Sequence, residues 1–152
     1  MTYIKDLTRS DYFGPLSAGL IHVGWLHPSA PIPQGDTPVE VFAALMKLLA
    51  DPWQPVAFAG REPCRFCRFT GGPATVHYEE HSATIGANNL FLPAGAEGVF
   101  VCPSTIAHYI DAHGYGPPPA FQAAVLEWAA APRITYLREL KRAGLVKTAI
   151  TS

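Results

Sequence analysis

Apolar residues in this chain fall into short runs of two periods, separated by breaks rich in proline and glycine. "LIHVGWL", Leu20 to Leu26, reads as a strand, and "HPSAPIPQG" after it cannot be regular structure. In "DTPVEVFAALMKLLADP" the spacing changes to that of a helix. Val41, Ala44, Leu45, Leu48 and Leu49 form its apolar stripe, and Pro52 stops it. Thr37 is placed to cap this helix, with Pro38 in the first turn and Glu40 completing a capping box. "VAFAGREPCRFCRFTGG" reads as a turn of strand, a tight knuckle and a second turn of strand. "ATVHYEE" alternates as a further strand, and "NNLFLPAGAEGVFVCP" as a hairpin.

The period then returns to helical. Pro103 can open a helix through "STIAHYIDAH" that Gly114 closes. "PAFQAAVLEWAA" is a second helix, broken by Pro132, and "ITYLRELKRAG" is a third, ending at Gly144. The pattern predicts an α+β fold with a small central antiparallel sheet, an N-terminal helix and a C-terminal run of helices. The three helices after Cys102 are expected on one face of that sheet, burying Ile106, Ile110, Phe121, Val125, Trp128 and Leu137.

Length and composition narrow this reading. The 152 residues fit a single domain, 1–152. Apolar residues make up 49%, enough for a core without staples. Charged residues make up 15%, well under the usual ~25%, and the fifteen prolines are about twice the usual share. A surface this poor in charge suits a partner-binding face. The net charge of −1 leaves no overall footprint for nucleic acid or anionic lipid. Basic residues gather at Arg61, Arg65 and Arg68, and again at Arg133, Arg138, Lys141, Arg142 and Lys147. Near the first group only Phe66 and Phe69 offer the aromatics that RNA binding wants. "MTYIKDLTRSDYF" lacks the apolar stretch of a secretion signal, and no run is long enough to span a membrane. A cytoplasmic protein with reduced thiols is the expectation.

That expectation gives the cysteines their meaning. Cys64 and Cys67 in "REPCRFCRF" have C-x-x-C spacing, which with reduced thiols points to metal or redox chemistry. A redox pair should open a helix, where the dipole lowers the thiol pKa, but Pro63 and "RFTGG" leave no room for one. A structural Zn²⁺ takes four ligands, often a cysteine pair from a knuckle and a histidine pair from a helix. "HYIDAH" supplies His108 and His113. Five positions on an ideal helix leave two side chains about 140° apart, so the last turn must loosen for both to reach one ion. Gly114 permits that loosening. The predicted metal ligands are therefore Cys64, Cys67, His108 and His113, which would clamp a zinc-knuckle-like hairpin to a helix.

Rival ligands exist. Cys102 lies in "VFVCP", which reads as a buried strand end. His22 and His27 share a histidine-pair spacing. His77, Glu79 and His81 in "HYEEH" would share one face of a strand, as a metal or acid–base cluster or as a solvent-facing edge. The chain contains no G-x-S-x-G, P-loop or G-x-G-x-x-G motif.

"MTYIKDLT", "VGWL" and "PC-x-x-C" in the N-terminal half resemble a family of small uncharacterised bacterial proteins, common in actinobacteria and related soil bacteria. So does "NNLFLP…GVFVCPSTIAHYIDAHGYGPPPAF-x-x-AVL" in the C-terminal half. The most specific part is "HYI-x-x-HGY-x-PP-x-F". The resemblance implies a stand-alone cytosolic protein carrying both Cys64/Cys67 and His108/His113. Where the family reads "GFHPC" this chain reads "GREPC", so it lacks that histidine. His22 and His27 fall where the family carries other residues. The resulting expectation is a structural-zinc module acting through a protein partner, of an immunity-like or regulatory kind, and more a binding module than an enzyme. The alternatives are a zinc enzyme with an open Cys₂His site, Glu79 or Glu80 acting as base, and a nucleic-acid binder using the basic knuckle.

Overall fold

A computed structural model describes residues 3–10, 19–54 and 61–145. Its elements run β1 (Arg9–Ser10), β2 (Leu20–His22), α1 (Val39–Ala50), β3 (Thr75–Tyr78), β4 (His81–Thr84), β5 (Asn89–Pro93), β6 (Val99–Pro103), α2 (Ile106–His113), α3 (Pro119–Ala130) and α4 (Arg133–Arg142). A 3-10 turn at Gly95–Glu97 joins β5 to β6. The fold is α+β. The strand turn expected at residues 56–60 lies outside the described residues.

Four strands form the main sheet in the order β1-β2-β6-β5. β5 and β6 are buried at every position, which explains their near-continuous apolar sequence. β6 lies between the antiparallel β5 and the parallel β2, with Ile21 opposite Phe100. The sheet is thus mixed: one parallel pair closes across a long stretch of chain, and no local pattern announces such a pairing. The Trp25 indole donates to the Val101 carbonyl at 3.1 Å and fixes the strand exit.

β3 and β4 form a separate two-stranded hairpin. The sequence pattern shows one strand here because Glu79 and Glu80 carry no turn signal. Glu79 nevertheless adopts φ +53° in the two-residue turn. α1 buries Val41, Leu45, Met46 and Leu49 and packs against both α3 and β4, tying the hairpin to the helices. No side chain caps α1. The Thr37 hydroxyl instead donates to the Tyr115 carbonyl at 3.4 Å, so the expected capping box gives way to a tertiary contact. Pro103 ends β6 rather than opening α2, which begins at Ile106.

α3 and α4 pack against β5, and α2 against α1. Ile106, Phe121 and Val125 are buried, while Ile110, Trp128 and Leu137 are half-buried against the core. Two aromatic donors lock the layers: Trp128 Nε1 to the Pro93 carbonyl at 2.9 Å, and the Tyr136 hydroxyl to the Phe91 carbonyl. Phe121 is 1% exposed and meets Phe100 edge-on at 5.7 Å. Phe121→Ala should therefore cost about 3–5 kcal/mol, read as a lower urea midpoint with an unchanged slope. A loss below about 1 kcal/mol would show that α3 is not anchored through this ring.

Candidate metal centre

The knuckle is a short loop closed by its own backbone. The Cys64 amide donates to the Gly71 carbonyl at 2.6 Å, Cys67 to Cys64 at 3.2 Å, and Gly71 to Cys67 at 3.1 Å. A tight return of this kind needs left-handed residues, and Gly71 and Gly72 supply them at φ +70° and +86°. A Cβ on Gly72 would lie 2.9 Å from Cys64 Cβ and 3.5 Å from His108 Nε2, so the glycine also makes room for the site. Arg61 braces the exit of the loop by donating to the carbonyls of Gly72, at 3.0 Å, and Pro73.

The histidines come from α2. His108 is buried in the body of the helix and His113 is half-buried at its last residue. The end of the helix is wide. The amides of Gly114 and Tyr115 both reach back to the Tyr109 carbonyl, five and six residues away instead of four. The His108 and His113 rings stand edge-to-face with centroids 5.0 Å apart just before this wide exit. Gly114 is left-handed at φ 68°. The loop at Gln34 straps this end down: Gln34 Nε2 donates to the His113 carbonyl at 3.3 Å, and the Gly35 amide to Gly114 at 3.2 Å.

Cys64, Cys67, His108 and His113 thereby come together, each offering one ligand atom, and the four atoms all lie within 4.8 Å of one another. Cys67 Sγ lies 3.3 Å from His108 Nε2 and 3.6 Å from His113 Nε2, and Cys64 Sγ lies 3.5 Å from His113 Nε2. A tetrahedral ion with sulfur at ~2.3 Å and nitrogen at ~2.0–2.1 Å would set S···N edges of about 3.6 Å. Three of the four S···N separations are close to that length, so the cluster is compatible with a four-coordinate metal site. Phe66 forms one wall, its ring 5.9 Å from Tyr109 and 5.5 Å from His113.

Burial favours the neutral form of two of the four groups. Burial pushes the Cys64 thiol up and the adjacent Cys67 adds to the rise, against backbone hydrogen bonds from Phe66 and Cys67 that favour the thiolate. Burial pulls His108 down, helped by His113 and Arg61 and opposed by Asp111. The His108 imidazole is thus held neutral, the form that binds metal, while the Cys64 thiol holds its proton, which a divalent ion would have to displace.

The rival residues lie elsewhere. Glu79 sits in the β3–β4 turn, so His77, Glu79 and His81 do not share a strand face. His77 Nδ1 pairs with Ser82 Oγ at 2.7 Å, and His81 lies 3.4 Å from Glu80. His27 bonds Ser29, and His22 is buried edge-on to Trp25. Cys102 is fully buried, and burial pushes its thiol up. Among the described residues, only the Cys₂His₂ group could hold a metal ion. Sequence reasoning missed Gly72, Phe66 and Gln34 as supports. The "TGG" after the knuckle was a readable signal for the first; Gln34 leaves none, because its contact is purely tertiary.

The chain belongs to the family described as a domain of unknown function (DUF7919), whose model matches residues 2–126. All four clustered residues fall inside that match, and α4 lies beyond it. No curated protein and no solved structure matches the chain. No helix among the described residues is long and apolar enough to cross a membrane.

Proposed function

We propose that Cys64, Cys67, His108 and His113 bind one structural Zn²⁺, and that the protein is a non-enzymatic module acting through contact with a protein partner. The observation carrying this reading is that three of the four S···N separations are 3.3–3.6 Å within one four-ligand cluster. A mixed thiolate–imidazole tetrahedron suits zinc above other divalent ions. Four protein ligands would fill the coordination sphere, whereas a catalytic zinc keeps a position open for water. No carboxylate joins the cluster among the described residues, so neither Glu79 nor Glu80 is placed to act as a base. The reading treats residues 1–152 as one domain of a bacterial cytoplasmic protein, with a regulatory or immunity-like role.

Elemental analysis of untagged protein tests it. One zinc per chain is expected, retained in Cys102→Ala and Glu79→Gln and reduced in Cys64→Ser. Protein free of stoichiometric metal, or zinc that departs with Cys102, would overturn the assignment.

A further inference from the structure

The knuckle does more than face the histidines. Its outer turn carries Arg65, Arg68 and Phe69, all exposed, with Phe69 97% exposed. The two aromatics interleaved with the arginines take opposite roles. Phe66 turns inward onto Tyr109 and His113, so Phe69 is left pointing out. The arginines divide likewise. Arg61 is spent on the carbonyls of Gly72 and Pro73, while Arg65 and Arg68 make no ion pair among the described residues. The result is a small knob, one aromatic ring flanked by two free guanidinium groups, on a loop held by three internal backbone hydrogen bonds. A ring so placed gains nothing from its own fold.

We propose that Arg65, Arg68 and Phe69 form the contact surface of this module, and that its partner is a protein presenting an apolar pocket rimmed by carboxylates. The proposal rests on the reading of the knuckle as a metal-held interaction element. Aromatic residues and arginine are the types that concentrate binding energy at protein interfaces, typically as one anchor in a pocket with polar groups around it. A preorganised turn loses little freedom on docking. The two free positive charges select an acidic rim and speed the encounter. Single-stranded nucleic acid fits less well. It calls for several stacking rings along a basic groove, and here one ring and two free cations stand on a chain of net charge −1.

The test is a selection from a display library of random linear peptides on the intact protein, followed by titration of the enriched peptides made synthetically. The expected peptides carry a bulky apolar residue flanked by Asp or Glu. Phe69→Ser should weaken them by about tenfold or more, and Arg68→Glu should weaken them and abolish the salt dependence of association. Ile134→Ser, at an apolar residue of α4 that is 68% exposed, should leave them unchanged. No enriched peptide, enrichment without acidic residues, or equal binding by Phe69→Ser would overturn the proposal. So would a uridine-rich single-stranded RNA binding more tightly than any peptide in a Phe69-dependent way. Zinc content is measured beside each titration. Metal-free wild type refutes the zinc reading, whereas metal-loaded wild type without peptide binding refutes this surface alone.

Discussion

Cys64→Ser and His113→Ala should each lower stability by about 4 kcal/mol or more, the range reached when a metal is lost. For a chain of this size that is a fall of roughly 8–16 °C in Tm. The two losses should be nearly equal, because each substitution opens the same clamp between knuckle and helix. The double variant should fall little further, since ligands of one ion are strongly non-additive. A chelator should bring wild type down to the level of the single variants and change those variants little. The domain should not unfold outright without metal. Small zinc domains draw ~10–16 kcal/mol of folding energy from the ion, but this chain has a large apolar core, from Leu20 on β2 to Leu140 on α4, to which the site contributes little beyond Cys64. Melting curves of the four proteins with and without chelator decide the matter. If the two losses simply add, or if the chelator changes nothing in wild type, there is no shared ion.

Gly72→Ala should cut metal affinity by about 10–100-fold, the scale seen when support around a ligand is lost. The companion substitution Gly71→Ala should cut it far less. Both residues are left-handed, so both substitutions carry a backbone cost of about 1–2 kcal/mol. They differ in what the new methyl meets. At Gly71 it would lie 3.0 Å from Pro63 Cβ, whereas at Gly72 it would lie 2.9 Å from Cys64 Cβ and 3.5 Å from His108 Nε2, against two of the four ligands at once. Competition with a chromophoric chelator measures both affinities. Equal losses would mean that the knuckle backbone, rather than the space at the ligands, governs binding.

The candidate site was legible because each half is local. C-x-x-C on a tight turn and His-x₄-His at a glycine-ended helix are spacings within one element, and the pairing of the halves follows from ligand count. The helices were legible for the same reason: an apolar stripe such as Val41, Leu45 and Leu49 repeats within a few residues. The hairpin turn at Glu79 and Glu80 was not, because a glutamate takes a left-handed conformation there only under the constraint of the flanking strands. That error also created the apparent His77–Glu79–His81 cluster, which disappears once the chain reverses between Tyr78 and His81.

By itself, then, the sequence determined the class of fold, the run of helices after the sheet and the identity of the four clustered residues, all of which depend on neighbours along the chain. Only the tertiary structure decided that β2 lies parallel to β6, that Thr37 serves Tyr115 instead of its own helix, and that Gln34 holds the His113 end in place. It alone separated Phe66, packed on His113, from Phe69, left in solvent. These contacts join residues far apart in the chain. Their partners are chosen by the closing of the core, which no local spacing records.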